Sequence, residues 1–175
     1  MKIQVMLDLE TLGTGPGAVI VAIGAVKFNP ANMELGEEFY QVIDMVDAQR
    51  AGLTIDAGTV KWWLERNEPA RGGICQGGTE LITALTQFRN WLLPDEAEVW
   101  GNGASFDNPI LVAAYRAIHE EAPWKLWNDR CYRTMKALAP QVKMARTGTH
   151  HNALDDARSQ AVHLMDILYA LQIKL

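Results

Sequence analysis

Cysteine is scarce in this 175-residue chain: Cys75 and Cys131 are the only two, far apart and in no C-x-x-C spacing. A disulfide framework and a thiolate zinc centre are thereby excluded. Long apolar runs are missing as well. No stretch reaches the ~18 residues that read as a membrane span, although 49% of the residues are hydrophobic. The opening Met1-Lys2-Ile3-Gln4-Val5-Met6-Leu7-Asp8 turns acidic too early for a secretory leader. A cytoplasmic location and no membrane partner are expected. Positive charge is not in excess, since 16 Lys and Arg stand against 21 Asp and Glu for a net charge of −5. A protein that grips duplex nucleic acid by charge neutralisation usually carries the opposite sign. An acidic metal site, however, makes a chain acidic while its rim stays basic. Internal repeats and low-complexity tracts are absent. So is a phosphate-cradling loop, because no lysine follows Gly13-Thr14-Gly15-Pro16-Gly17. The length suits one domain, 1–175, able to bury its own core.

What is present is an alternation of strand and helix patterns. Residues 2–9 alternate and then become an apolar run, as a central strand does. A glycine-rich turn follows at 11–17. Residues 18–28 and 37–45 read as second and third strands around an Asn29-Pro30-Ala31-Asn32 turn, so an antiparallel meander is expected. Helices are predicted over 59–67 and 79–93, with a loop at 71–78 between them. A short strand is expected at 98–100, and a helix with Pro109 in its first turn running to about Glu120. Loop and strand are expected over 124–133 and a short helix over 134–139. The last helix, 152–174, carries Ala153, Ala157, Ala161, Leu164 and Leu168 on one stripe. The order predicts an α/β fold: helices on a mixed sheet whose first three strands are antiparallel.

Three acidic clusters stand out. Asp8 and Glu10 close the first strand, and residues two apart on a strand project from the same face. Asp107 lies between a strand and a helix, after Gly101-Asn102-Gly103. Asp155 and Asp156 open the last helix behind His150-His151. Each has an ordinary reading alone: a strand-end acid, a turn or capping aspartate, acids favouring a helix dipole. Together they offer hard oxygen ligands without thiolate, which suits Mg²⁺ or Mn²⁺. Four such carboxylates suit a pair of ions about 3.5–4 Å apart, an arrangement used for displacement at phosphorus. A histidine titrating near neutrality can take a proton from water.

These residues carry a resemblance. Asp8-Leu9-Glu10-Thr11, Asn102 with Phe106-Asp107, and His151-x-Ala153-x-x-Asp156 resemble the three exonuclease motifs of the DEDD superfamily, in chain order and over about residues 3–170. Trp62-Trp63 followed by Pro69-Ala70, Gly103-Ala104-Ser105-Phe106-Asp107, and Trp127-Asn128-x-Arg130 resemble more narrowly the exonuclease of T-even phages and the mycobacterial exoribonuclease group. The resemblance implies an RNase H-like fold and a two-metal 3′-5′ exonuclease that releases nucleoside 5′-monophosphates from single-stranded or 3′-overhanging nucleic acid. It implies Asp8, Glu10, Asp107 and Asp156 as ligands of two Mg²⁺ or Mn²⁺ ions. It implies His151 rather than His150 as general base, because Ala153 and Asp156 follow at the motif's spacing. Asn152 stands where the tyrosine-type subfamily carries tyrosine, so the chain is of the histidine type, DEDDh. Asp155 is a candidate support.

The rim expected from this resemblance comprises Thr11 and Leu12, the latter as an apolar wedge against the terminal nucleotide, with Asn102, Phe106, Trp63 and Arg130. Trp62, Trp63, Phe106, Trp124 and Trp127 are candidates for stacking on bases, and Arg130, Arg133, Lys143 and Arg146 for contacting phosphates. His119 and His163 are read as structural. The expected partner is the 3′ end of a single-stranded DNA or RNA. No residue is assignable to a 2′-hydroxyl, so both stay open, as does a homodimer. Two rivals share these motifs: a proofreading-type subunit acting with a polymerase, and a silent binding module. The second would lack a carboxylate or the histidine, and all are present.

Overall fold

The computed structural model describes residues 2–66, 72, 75, 77–93 and 96–175. The apolar run near the N-terminus becomes β1 (Ile3–Thr11), buried on both faces because it is the middle strand of five. On one side it pairs antiparallel with β2 (Ile20–Asn29), which pairs antiparallel with the edge strand β3 (Glu34–Val42). On the other side it runs parallel to β4 (Ala97–Gly101), and β4 to the short β5 (Asp129–Cys131). The sheet is therefore mixed and ordered β3-β2-β1-β4-β5, with the expected antiparallel meander at one end.

Six helices are described: α1 (Met45–Arg50), α2 (Ala57–Leu64), α3 (Leu81–Leu92), α4 (Asp107–Ala117), α5 (Tyr132–Leu138) and α6 (Ala153–Ala170). A 3₁₀ turn, Leu126–Asn128, leads into β5. The third strand was expected to reach residue 45 but stops at Val42. The Asp44 carboxylate accepts from Val46 N at 2.8 Å and Asp47 N at 3.0 Å, which starts α1 instead. Of the loop expected at 71–78, residues 72 and 75 are helical instead and 71, 73, 74 and 76 lie outside the described residues, as do Pro69 and Ala70 of the tryptophan motif.

The alternation along β1 decides where the site can form. Val5, Leu7 and Leu9 join a core with Leu85 and Phe88 of α3 and Ile110, Leu111 and Tyr115 of α4. Met6 points the other way, into a smaller core with Ala157, Ala161, Leu164 and Met165 of α6. By the period of two, Asp8 and Glu10 continue the Met6 face, toward α6. Gly24, opposite Asp8 in the β1–β2 register, lets the helix come close. A Cβ there would lie 2.1 Å from the Ala153 carbonyl carbon and 2.3 Å from Leu154 N. The first turn of α6 thus rests on β2 backbone with no side chain between.

Candidate active site

At the ends of β1 and α6 a cleft of about 540 Å³ opens, lined by Asp8, Glu10, Thr11, Asn102, Phe106, His151 and Asp156 among others. One carboxylate oxygen each from Asp8, Glu10 and Asp156 lie within 4.8 Å of one another. Asp8 keeps part of its surface open, while Glu10 and Asp156 are buried. Asp107 stands behind them, 1% exposed, at the first turn of α4. The described β1–β4 register ends at Met6–Trp100, so the Leu9 amide has no partner in that ladder. Asp107 Oδ1 accepts it at 3.1 Å, and Oδ2 accepts Asn102 N at 2.7 Å. Gly101 permits this return of the chain, since a Cβ there would lie 2.6 Å from Asn108 Oδ1.

Electrostatics follow from the crowding. Burial, with Asp107, Glu10 and Asp156 close by, holds the Asp8 pKa well above the usual carboxylate range. Burial and the charges of Asp156 and Asp107 push Glu10 up to about 8. Burial raises Asp107 to about 6 against the pull of the backbone amides of Asn102, Leu9 and Asp107 itself and of the Arg133 charge. No cationic side chain among the described residues pairs with Asp8 or Glu10. Buried like charges with free hard oxygens fit a divalent cation such as Mg²⁺ or Mn²⁺.

Two cleft residues hold the acids in place. Gln160, one turn along α6 from Asp156, donates Nε2 to Asp8 Oδ1 at 2.7 Å. The i,i+4 spacing from Asp156 was its sequence signal, and sequence reasoning missed it. Arg146 pairs through Nη1 with Asp156 Oδ1. Asp156 Oδ2 accepts the backbone N–H of His151 at 2.9 Å. His151 has φ +64°, the left-handed region uncommon for a side chain of its size. Its ring meets the edge of Trp62 at 4.9 Å between centroids and stacks on His150 at 3.8 Å. Burial, then the His150 charge, lower the His151 pKa below 6.5. Both histidines line the cleft, His151 half-buried and His150 exposed. Asp155 lies in the supporting layer, accepting Thr149 N at 2.8 Å and Arg158 Nη1 at 2.9 Å.

The expected rim is only partly realised. Leu12, expected as a wedge, is 5% exposed and packed in the core, because Leu12 N donates to Val19 O and its carbonyl accepts from Asp56 N. Trp63 forms part of the cleft wall but is 4% exposed, its Nε1 donating to Thr11 O at 2.9 Å. Trp62 beside it is 37% exposed, with the Arg66 guanidinium 4.4 Å above its ring. Arg130 lies on β5 away from the cleft, paired with Glu98 and bound to the carbonyls of Trp127 and Asp129. Trp124 is buried, donating to Asp129 Oδ1 at 2.7 Å, and Trp127 is outside the cleft lining. His163 is buried between Tyr132 Oη and the Val142 carbonyl, the structural role expected of it.

Against known proteins, residues 3–168 match the family model of the 3′-5′ exoribonuclease Rv2179c-like domain. The chain belongs to this family. An exodeoxyribonuclease of Enterobacteria phage T4 is 26% identical over 156 residues, 74% of this chain and 68% of that one. Among solved structures, the nuclease domain of 3′hExo, a DEDDh member bound to rAMP, superposes with TM-score 0.67 at 11% identity, covering 97% of this chain and 92% of that one. Exonuclease I of E. coli in complex with a dT13 oligonucleotide superposes with TM-score 0.71 at 10% identity, over 96% of this chain but 41% of that longer one. The fold is thus the RNase H-like one of DEDDh exonucleases. The protein is a metal-dependent 3′-5′ exonuclease.

Proposed function

We propose that the chain, as a single exonuclease domain over 1–175, shortens single-stranded or 3′-overhanging nucleic acid from its 3′ end and releases nucleoside 5′-monophosphates. The observation that carries this reading is the convergence of Asp8, Glu10 and Asp156 in one cleft with His151 tied to Asp156. Asp8, Glu10 and Asp156, with Asp107 behind them, would hold two Mg²⁺ or Mn²⁺ ions. Such ions supply charge neutralisation at phosphorus and a more acidic attacking water.

The chain's own residues do the rest. His151, kept neutral near pH 7 by its lowered pKa, takes the proton of the attacking water. The new bond joins that oxygen to phosphorus, and the bond from phosphorus to the upstream 3′ oxygen breaks. That oxygen acquires a proton from solvent. Gln160 keeps Asp8 turned into the cleft, and the two backbone amides on Asp107 fix its carboxylate. Trp62, part-exposed in the cleft wall, takes the terminal base beside it, Thr11 and Asn102 line the path, and Phe106 contributes an apolar side. Arg146 neutralises Asp156 in the free protein and is placed to reach substrate phosphate once cations take its position. The same reading places the work in the cytoplasm. The matches are to exonucleases, which does not favour a polymerase-associated subunit.

A time course on 3′- and 5′-labelled single strands of DNA and RNA, with Mg²⁺, Mn²⁺ or EDTA, tests the proposal. Mononucleotide should appear first from the 3′ label, only with metal. Rapid cutting of a circular single strand would reject it.

A further inference from the structure

The acidic cleft leads into a second groove, and Asn102 lines both. This groove, about 710 Å³, runs along α5 toward the segment that ends at Arg146 of the cleft. Its rim carries Arg133, Lys136 and Lys143, all exposed, and no carboxylate among the described residues lines it. The buried ring of His163 closes the floor with both nitrogens already engaged. Arg133 Nη2 donates to Asn102 O at 2.7 Å, and Lys143 Nζ to Pro140 O at 2.8 Å. None of the three forms an ion pair among the described residues. By contrast Lys2, Lys27, Arg89, Lys125, Arg130, Arg146 and Arg158 each face a carboxylate. In a chain of net charge −5, three cations held in no ion pair, of which Arg133 also feels the Asp107 charge, form a local positive field beside the carboxylate cleft.

The cleft wall made by α2 and the loop after β1 has other chemistry. Gly13, Thr14, Gly58 and Thr59 line it with Trp62 and the exposed carboxylate of Asp56, which caps α2 through Thr59 N at 2.8 Å. An acid beside an aromatic face suits an uncharged base, and the Asp56 charge offsets that of Arg66, whose guanidinium lies 4.4 Å above the Trp62 ring, so this wall carries no excess of cations to hold a run of phosphates.

We infer that the Arg133–Lys136–Lys143 groove is the track for the upstream strand: it binds the phosphodiester backbone that trails from the scissile bond. The terminal nucleoside then lies on the Trp62 side, and the strand crosses Asn102 and leaves along α5. This inference deepens the exonuclease reading and rests on it. It assigns a direction to the substrate in the cleft and a reason for preferring long strands to dinucleotides.

Counterion release makes the track measurable, since each neutralised phosphate of a single strand contributes about 0.7 to the slope of log K against log salt. The test titrates a fluorescent twelve-residue oligothymidylate with Ca²⁺ replacing Mg²⁺, for the wild type, a Lys136→Ala/Lys143→Ala double variant and a Lys174→Ala control. The double variant should lose about 1.4 from the slope, and the control should keep the wild-type value. In Mg²⁺, the preference in kcat/KM for the twelve-residue strand over a dinucleotide should fall about tenfold. An unchanged slope with an unchanged preference overturns the inference. So does an equal loss on both substrates, which would put the lysines' effect at the cleft itself. A wild type that hydrolyses neither substrate defeats the exonuclease reading instead, and the slope, read without hydrolysis, still judges the track.

Discussion

His151 is poised by contacts of three kinds. Its backbone is held by Asp156, its ring is walled by Trp62, and its basicity is lowered by burial and by the neighbouring His150. If it takes the proton from water, His151→Ala should cost about 10²–10⁴-fold in kcat while metal affinity, followed by calorimetry, stays near the wild-type value. Asp156→Ala should lose activity and metal affinity together, because it removes a cleft oxygen and frees Arg146 to compete for the remaining acids. His150→Ala should act differently again. The unprotonated ring is the active form, so rate falls as pH drops through the His151 pKa. Removing the His150 charge raises that pKa, and the acid limb of the pH–rate profile should move to higher pH with little change on the plateau. A shift to lower pH would contradict the assignment.

At the level of elements, the site depends on how closely α6 approaches β2. Gly24→Ala places a methyl carbon 2.1 Å from the Ala153 carbonyl carbon, a backbone atom that cannot turn aside. The helix must move, and Asp156, Gln160 and the His151 amide move with it. We expect a stability loss of about 1–3 kcal/mol by denaturant titration. Activity should fall by more than the unfolded fraction explains, because displaced ligands weaken catalysis in the molecules that stay folded. Wild-type kcat in Gly24→Ala would show that α6 does not need this seat.

Over the whole molecule, the acids couple folding to pH and to metal. Folded Glu10 holds its proton up to about pH 8, whereas an ordinary glutamate releases it near 4.5. Its proton-linked stabilisation is complete below about pH 4.5 and lost as pH rises through about 8. Asp107 behaves likewise between its ordinary 3.8 and about 6. The metal-free protein should therefore melt lower at about pH 8.5 than at about pH 7, because in that window the opposing contribution of His151, whose pKa lies below 6.5 when folded, is small beside that of Glu10. Millimolar Mg²⁺ or Mn²⁺ binds the ionised form, so it should raise Tm, and more at the higher pH. Differential scanning fluorimetry with metal or EDTA reads both effects, and a metal-induced rise that shrinks as pH increases would contradict a carboxylate site.

The sequence by itself determined the strand that carries Asp8 and Glu10, the antiparallel meander, the long last helix and the order of the three acidic motifs. These are local matters of period, run length and spacing, and a period of two puts residues 8 and 10 on one face whatever surrounds them. It could not show that β1 takes the centre of the sheet between β2 and β4, since strand order rests on contacts far apart in the chain. Nor could it tell that Trp62, rather than the expected Trp63, stays exposed. Adjacent tryptophans have the same composition, and only the carbonyl of Thr11, reached by one indole N–H, buries the second and leaves the first exposed. Leu12 and Arg130 matched a motif by position, yet packing placed one in the core and tied the other to Glu98. The meeting of Asp156 with Asp8, across nearly the whole chain, was decided by the bare backbone at Gly24, because only there can the start of α6 come close enough to bring its carboxylate into the cleft.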